Sequence, residues 1–191
     1  MGGSFNPAHT GHLMVARLAL KRLSLHWIWW LVTPQNPLKP SRGMASFAER
    51  LAGARERATD PRIVVTSLEG DLGLRVTADT VRILRRRFPR ARFVWIMGAD
   101  NLRQMPAWRN WPFILRSLGV AVFDRPTYAL GALSGRTAQR FGKFRLPERK
   151  SRLLARQRPP AWVFVHTSLN RVSATRIRTG VGTDESWPAK G

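Results

Sequence analysis

The sequence predicts an α/β fold built on a doubly wound parallel sheet. Short apolar runs alternate with segments of helical spacing along most of the 191 residues, and this alternation is typical of a parallel sheet covered by helices. The runs are apolar on both faces, as expected for buried parallel strands; Trp27–Thr33 (WIWWLVT) is the clearest of them. The length predicts a single domain, residues 1–191, with a substantial buried core.

The strands are predicted from continuous apolar or β-branched runs, and the helices from apolar residues recurring at a period of about 3.6. The predicted strands are Trp27–Thr33, Ile63–Ser67, Phe93–Met97, Val120–Phe123 and Trp162–His166. The predicted helices are Leu13–Leu23, Phe47–Ala58, Thr77–Phe88 and Trp111–Ser117, with a last helix starting in 173–178. In such sheets ligands bind beyond the carboxyl ends of the strands, so functional residues are expected there.

The segment GGSFNPAHTGH at residues 2–12 carries the strongest functional signal. Small residues at positions 2 to 4 let the backbone approach a ligand and direct N–H groups at an anion. His9 and His12 precede or begin a predicted helix, whose dipole and unpaired N–H groups favour phosphate at that end. Two imidazoles there can donate hydrogen bonds to a phosphate whose charge rises in a transition state. Two surface histidines beside an ordinary glycine turn are the alternative.

A second segment, VSATRIR at residues 172–178, lies near the other end of the chain. Ser173 and Thr175 are suited to capping a helix and meeting phosphate oxygens. Arg178 offers a planar guanidinium for a polyphosphate. Taken alone, this segment could equally be a capped surface helix.

The two segments together resemble the His-x-Gly-His and Ile-Ser-x-Thr-x-Ile-Arg signatures of a nucleotidyltransferase superfamily, with Val172 in place of the first Ile. The resemblance implies a Rossmann-like nucleotidyltransferase fold that binds ATP, with His9 and His12 as the catalytic residues. It implies ATP binding by Gly3, Ser4, Phe5, His9, His12, Ser173, Thr175 and Arg178.

The middle of the chain resembles the bacterial nicotinate-mononucleotide adenylyltransferases. The similarity lies in a Gly-x-Asp step at Gly98 and Asp100, a following tryptophan, Trp108, and a Thr-x-x-Thr helix start at Thr77. It implies that Trp108 stacks on the pyridine ring, that Thr77 helps hold the nicotinate carboxylate, and that Asp100 accepts bonds from ribose hydroxyls. Trp108 and the nearby Trp111 could instead be core residues, and Thr77 only a helix cap.

Lys39 lies in the proline-rich loop PQNPLKP at residues 34–40. Prolines stiffen such a loop and fix the direction of the lysine. The family carries a similar loop with a basic residue, which implies that Lys39 binds the substrate phosphate. A solvated loop lysine is the alternative.

The resemblance implies that the protein transfers the adenylyl group of ATP to nicotinate mononucleotide, giving nicotinate adenine dinucleotide and pyrophosphate. Mg²⁺ is expected to arrive with ATP, because no carboxylate cluster is visible and no metal residue can be named. Asn6 stands where many relatives carry Asp and brings no negative charge. His26 and His166 are interpreted as structural. The alternatives are another adenylyltransferase, such as phosphopantetheine adenylyltransferase, or a non-catalytic basic protein that binds nucleic acid.

Composition restricts the partners and the compartment. The chain has no cysteine, which excludes disulfides, thiolate metal sites and cysteine nucleophiles and fits a cytoplasmic protein. It has no apolar run long enough for a membrane span, so no membrane partner is expected. The net charge of +22 favours anionic partners such as nucleotides, whereas nucleic acid is expected to bind only non-specifically. The oligomeric state cannot be read from the sequence.

Three segments depart from the rest of the pattern. Residues 126–160 form a basic, partly helical insertion, for which solvation is favoured over a nucleic-acid or membrane contact. Residues 179–191 are glycine-rich and are expected to form a short flexible tail. The family's first strand, normally about six residues long, is apparently missing, because Met1 directly precedes Gly2. We therefore expect the natural protein to begin earlier and the given chain to be less stable than an extended one.

Overall fold

A computed structural model describes residues 1–34, 43–124 and 129–167. The seven strands within these residues all pair in parallel and alternate with helices, so the predicted α/β class is confirmed. The chain divides into two compact units. The N-terminal unit contains Gly2–Leu20 and His26–Arg75, and the C-terminal unit contains Lys21–Leu25 and the described residues from Val76 onward.

The N-terminal unit is built on a three-stranded sheet in the order β1-β2-β3. Its elements, in chain order, are β1 (Gly2–Gly3), α1 (Thr10–Arg22, of which Lys21 and Arg22 belong to the other unit), β2 (Ile28–Val32), α2 (Phe47–Arg57), β3 (Ile63–Thr66) and α3 (Leu68–Asp71). The predicted strands at 27–33 and 63–67 and the helices at 13–23 and 47–58 are confirmed, with ends shifted by up to three residues. The four-residue helix α3 is too short to show a helical period in the sequence.

The first strand is present in short form, which corrects the expectation that it is missing. Gly2 and Gly3 pair with Leu31 and Val32 of β2, and the N–H of Thr33 donates to the carbonyl of Gly3 over 2.9 Å. Two glycines carry no apolar side chain, so the sequence pattern gives no strand signal at these positions even though their backbone groups pair.

A capping box determines where α2 begins. The Ser46 hydroxyl accepts from the N–H of Glu49 over 3.2 Å, and the Glu49 carboxylate accepts from the N–H of Ser46 over 2.8 Å. The two bonds satisfy N–H groups that have no partner within the helix. Hydrogen bonds from the Ser46 side chain and from the Ser46 N–H to the Glu49 carboxylate lower the pKa of Glu49 below its usual value. The start of α2 is therefore fixed by its own sequence.

The C-terminal unit is built on a four-stranded sheet in the order β4-β5-β7-β6. Its helices are α4 (Thr77–Arg87), α5 (Ala99–Gln104), α6 (Trp111–Ser117), α7 (Ala129–Leu133) and α8 (Arg136–Arg140), and its strands are β4 (Val94–Gly98), β5 (Gly119–Phe123), β6 (Arg145–Leu146) and β7 (Trp162–Val165). Three 3₁₀ helices complete the unit, at Met105–Ala107, Gly142–Phe144 and Glu148–Arg156. The helices at 77–88 and 111–117 and the strands at 93–97, 120–123 and 162–166 are thus confirmed to within about one residue.

The core of the C-terminal unit lies along the two central strands. Every residue of β5 and β7 is buried, which agrees with their uniformly apolar sequences. Gly119 begins β5 beneath Leu154, where a Cβ atom would lie 3.0 Å from the leucine side chain. A larger residue at 119 would therefore displace Leu154 from this contact.

The basic segment combines exposed charge with buried apolar side chains. Its nine basic side chains between positions 136 and 158 are all exposed, and α8 and two 3₁₀ helices lie within it. Phe141 and Leu154 are buried, and the carbonyl of Phe141 accepts from the Trp162 indole N–H over 2.8 Å. The segment also supplies the edge strand β6, which sequence reasoning did not predict. None of the helices in the described ranges is both long and apolar enough to cross a membrane.

Glu148 links three parts of the C-terminal unit. Its carboxylate pairs with the Arg22 guanidinium and lies 2.7 Å from Nδ1 of His166. Partial burial acts to raise the pKa of Glu148, but the hydrogen bonds from His166 and Arg22 outweigh it, so the pKa lies below its usual value of 4.5. The contact supports a structural role for His166.

Glu148→Gln should lower the free energy of unfolding at neutral pH by about 1 kcal/mol or less, since all three partners are partly exposed. A carboxyl whose pKa falls on folding stabilises the protein above its unfolded-state pKa, and this stabilisation is lost as the pH drops through the folded-state value. The difference between wild type and variant should therefore shrink below about pH 4.5. Urea unfolding at several pH values measures it, and a pH-independent difference would contradict the assignment.

Candidate active site

The backbone turn that follows β1 holds a phenylalanine in an unusual conformation. Phe5 has φ of +46°, in the left-handed region that residues with a Cβ avoid. Its ring is 1% exposed and stacks on Trp30 with centroids 5.0 Å apart. A Cβ at position 3 would lie 3.3 Å from the Phe5 ring, so a larger residue there would require the ring to shift by a few tenths of an ångström. Ring packing therefore holds the turn in a strained backbone form.

His9 and His12 lie at the start of α1, as predicted. The carbonyl of His9 accepts from the N–H of His12 over 2.9 Å, which places His9 at the N-terminal end of the helix. The two rings are 3.9 Å apart between centroids, and His12 lies 4.8 Å from the Phe5 ring. His9 is 3% exposed and His12 is half-buried. The pair is thus packed against the aromatic side chains of the turn.

The hydrogen bonds of the two imidazoles assign their tautomers. Nδ1 of His9 accepts from the N–H of Gly11 over 3.1 Å, and Nδ1 of His12 accepts from the N–H of His9 over 3.2 Å. A nitrogen that accepts carries no proton, so both neutral rings carry their proton on Nε2. Two Nε2–H donors at the positive end of a helix can bind the oxygens of a phosphate.

The side chains of Asn6 and Arg50 form hydrogen bonds that connect this turn to the described residues flanking positions 35–42. The Asn6 side chain donates to the carbonyl of Gly43 over 3.2 Å and accepts from the N–H of Ala45 over 3.1 Å. Arg50 is 3% exposed and donates to the carbonyls of Ser4 and Ala45 over 2.7 and 3.0 Å. Burial lowers the pKa of the Arg50 guanidinium.

Arg50 was not identified by sequence reasoning, although the sequence contains a signal for it. It lies on α2 three residues after Phe47 and four before the fully buried Ala54, which places it on the apolar face of the helix. A charged residue on such a face is expected to have dedicated hydrogen-bond partners. The sequence does not reveal that these partners are backbone carbonyls.

An open cavity of about 520 Å³ lies beside the turn in the N-terminal unit. Its lining includes Asn6 and Pro7 from the turn and Glu49, Glu56 and Arg57 from α2, but neither His9 nor His12. Two carboxylates against two basic groups, Arg50 and Arg57, do not favour a triphosphate.

The four residues predicted to bind the second substrate all lie in the C-terminal unit. Gly98 ends β4, Asp100 lies in the first turn of α5, and Trp108 follows the next 3₁₀ helix, with its N–H donating to the carbonyl of Met105 over 2.9 Å. Thr77 is the first residue of α4. Gly98 and Asp100 thus lie at the carboxyl end of a parallel strand, where ligands bind in this fold class.

The structure separates the two interpretations of the neighbouring tryptophans. Trp111 is 7% exposed and packs edge-on against Phe141, with Arg140 over its ring. Trp108 is half-buried, so part of its ring surface remains accessible. Val76, and not Thr77, occupies the N-cap position of α4 and makes no side-chain cap bond. Trp111 is therefore a core residue, and the helix-cap alternative for Thr77 is wrong.

The remaining predicted site residues are Lys39, Ser173, Thr175 and Arg178, which lie outside the described residues. Sequence reasoning also passed over Asp124, which follows β5. One oxygen of its carboxylate is buried without a hydrogen-bond partner in the described part of the chain. In the same part, no group of three or more His, Cys, Asp or Glu side chains is arranged to hold a metal ion.

Known proteins similar to this chain agree on one family. The family model described as cytidylyltransferase-like matches residues 1–180. A protein of Methylorubrum extorquens named probable nicotinate-nucleotide adenylyltransferase is 54% identical over 178 residues, which cover 93% of this chain and 96% of that protein. A protein of the same name from Brucella suis is 49% identical over 177 residues, covering 93% and 91%.

Solved structures support the fold independently. The nicotinic acid mononucleotide adenylyltransferase of Plasmodium falciparum complexed with NaAD matches with a TM-score of 0.69, over 93% of this chain and 80% of that one. The same enzyme complexed with APC matches with a TM-score of 0.66. Because the sequence identity is 15% in both cases, the match shows a shared fold.

The left-handed backbone at Phe5 gives a prediction about stability. Phe5→Ala should lower the free energy of unfolding by about 3–5 kcal/mol, because it removes a fully packed ring. Phe5→Gly should be no less stable than Phe5→Ala, since glycine adopts positive φ without strain.

The matched control is Phe123, which is equally buried but lies in the extended strand β5. At that position glycine should be less stable than alanine by about 0.5–1 kcal/mol, as is usual within a strand. Urea unfolding of the four variants measures both differences. The same alanine–glycine order at the two positions would contradict the role of backbone strain at Phe5.

Proposed function

The chain belongs to the cytidylyltransferase-like family, and within it to the nicotinate-nucleotide adenylyltransferases, and from this membership we propose the reaction and the residues that perform it. The protein transfers the adenylyl group of ATP to nicotinate mononucleotide, a step in NAD biosynthesis. The observation that carries the mechanism is the histidine pair at the start of α1, in which both Nδ1 atoms accept backbone N–H groups. We place the reaction in the cytoplasm.

In this reaction an oxygen of the 5′-phosphate of nicotinate mononucleotide attacks the α-phosphorus of ATP. The bond between the α-phosphorus and the bridging oxygen to the β-phosphate breaks, and pyrophosphate leaves with that oxygen. The products are nicotinate adenine dinucleotide and pyrophosphate. Since no covalent intermediate with the protein is needed, the residues act by placing the two substrates and stabilising charge.

The Nε2–H groups of His9 and His12 donate hydrogen bonds to the ATP phosphates as negative charge moves onto the leaving group. His12 is the one nearest the reacting phosphorus. Neutral donors of fixed direction stabilise such charge without a proton transfer. Gly3, Ser4 and Phe5 contribute the backbone of the turn. Outside the described residues, Ser173, Thr175 and Arg178 complete the ATP site, and Lys39 meets the phosphate of the mononucleotide.

Residues of the C-terminal unit hold the nucleoside part of nicotinate mononucleotide. The half-buried ring of Trp108 stacks on the pyridine. Gly98 allows close backbone approach at the end of β4, and Asp100 accepts hydrogen bonds from ribose hydroxyls. Thr77, at the first turn of α4, contributes its hydroxyl and the nearby N–H groups to the nicotinate carboxylate.

ATP binds as its Mg²⁺ complex, so the metal is part of the substrate. Mg²⁺ retains several waters and coordinates phosphate oxygens readily, and it needs few protein ligands. The described residues offer no cluster of three metal-ligating side chains, and we name no residue as its ligand. The ion shields the charge of the triphosphate, and the histidines orient the triphosphate.

Pyrophosphate release from Mg-ATP tests the proposal, with nicotinate mononucleotide, nicotinamide mononucleotide and phosphopantetheine compared as acceptors. His12→Ala should lower kcat by about 100- to 1,000-fold, because one donor to the developing charge is lost. His26→Ala is the matched control and should leave turnover unchanged, since His26 is an exposed residue outside the site. Preference for phosphopantetheine, or full turnover in His12→Ala, would refute the proposal.

Trp108→Ala should raise KM for nicotinate mononucleotide by about tenfold or more, since stacking on a base contributes about 1–3 kcal/mol. KM for ATP should change little. Trp27→Ala is the control, because Trp27 is 60% exposed and lies outside both predicted substrate sites. Equal effects of Trp108→Ala on the two KM values would contradict a specific role at the pyridine ring.

A further inference from the structure

Arg50 is a buried cation whose described hydrogen-bond acceptors are all backbone carbonyls, and its guanidinium also lies over the Phe47 ring, 5.6 Å from the ring centroid. It donates to Ser4, Thr33, Pro34 and Ala45, over distances of 2.5–3.0 Å. No carboxylate forms an ion pair with it among the described residues. A buried charge is retained in a fold only when its hydrogen bonds are well satisfied. Here the acceptors all lie in the turn or in the residues that flank positions 35–42.

The bond to Ser4 determines the direction of the next N–H group. The peptide between Ser4 and Phe5 is planar, and in a trans peptide the carbonyl and the N–H point in opposite directions. With the Ser4 carbonyl held 2.7 Å from Arg50, the N–H of Phe5 points away from the guanidinium. Phe5 is also the residue with φ of +46°, so Arg50 binds the carbonyl of the residue that directly precedes the strained backbone.

The same side chain holds both flanks of the 35–42 segment. On one flank, its Nη1 and Nη2 atoms donate to the carbonyls of Thr33 and Pro34. On the other, its Nε donates to Ala45, where the Asn6 side chain also bonds to Gly43 and Ala45. Asn6 itself belongs to the turn, so the turn and both flanks are joined by two side chains.

We propose that Arg50, assisted by Asn6, is a positioning residue for the adenylyl transfer: it fixes the Ser4–Asn6 turn in the conformation that receives the ATP phosphates and holds the backbone at Thr33–Pro34 and Ala45 relative to it. The inference rests on the proposed function. Arg50 acts through the backbone and does not touch the substrates.

This role requires the guanidinium itself, and charge alone does not suffice. A guanidinium has five N–H donors in a planar fork, so it can bond several carbonyls that lie in different directions. A lysine at position 50 keeps the charge but has three donors on a single nitrogen and cannot reproduce the fork. Misplacing reacting groups by about 1 Å can lower a rate by about 100-fold, so loss of the fork is expected to act mainly on kcat.

The principal variant is Arg50→Lys, with Arg55→Lys as the matched control on the exposed side of α2. Asn6→Ala is the second variant, because it removes one link without leaving a buried charge unpaired. Three measurements are made on the full chain: amide hydrogen exchange of peptides covering residues 2–12 and 43–46, steady-state kinetics that give kcat and KM for ATP, and the melting temperature.

We expect Arg50→Lys to raise amide exchange in both peptides and to lower kcat by about 100-fold, with a smaller change in KM for ATP. Asn6→Ala should raise exchange in the same peptides, with a smaller loss of kcat. Arg55→Lys should match wild type in all three measurements. These changes should persist when each variant is assayed well below its own melting temperature.

Unchanged exchange in both peptides, or a kcat equal to that of wild type in stably folded Arg50→Lys, would overturn the inference. So would a loss of activity that tracks only the unfolded fraction. If Arg50→Lys does not fold, Asn6→Ala decides by the same criteria. If wild type itself shows no turnover, the proposed function fails, and hydrogen exchange alone decides whether Arg50 holds the turn.

Discussion

The N-terminal unit depends on a buried positive charge that is satisfied by main-chain oxygens. Transferring a guanidinium from water into the interior costs several kcal/mol, and only well-aligned hydrogen bonds offset it. Arg50 has four such bonds, and they come from the turn, the end of β2 and the residues before α2. Because each carbonyl must stay in place to satisfy the charge, these three pieces of backbone are held relative to one another. This constraint sets the geometry of the turn that we propose to bind phosphate.

The aromatic packing and the histidine hydrogen bonds complete that geometry. The Phe5 ring contacts both Trp30 and His12, so the residue with the strained backbone also packs against the imidazole that we propose to be catalytic. The N–H groups of His9 and Gly11 fix which nitrogen of each ring is protonated. In the proposed reaction, the orientation and protonation of these donors are therefore set before a substrate phosphate binds. Preorganisation of this kind is a large contribution to rate in phosphoryl and nucleotidyl transfer.

Sequence reasoning predicted the long elements, which the structure confirms, and it proposed a site, because both depend on local signals. Strands such as Ile28–Val32 and helices such as Trp111–Ser117 follow from apolar periodicity, and His9 and His12 from a short motif. The pattern gave no signal for β1, whose two glycines pair only through the backbone, or for the two-residue strand β6. Arg50 was missed for a different reason, because its hydrogen-bond acceptors are backbone carbonyls, most of them distant in sequence. Every residue has a backbone carbonyl, so the sequence does not indicate which ones accept from Arg50.

The difference between the fixed charge of Arg50 and the neutral histidines is consistent with the demands of the reaction. Interactions accelerate a reaction only when they are stronger in the transition state than in the ground state. A further cation in contact with ATP, beside Arg178 and Mg²⁺, would mainly strengthen binding of the triphosphate before any bond breaks. Neutral Nε2–H donors bind the ground state less strongly, and their bonds strengthen as charge moves onto the leaving pyrophosphate. Arg50 instead uses its charge on backbone carbonyls, so it can order the turn without adding a direct contact that stabilises bound ATP.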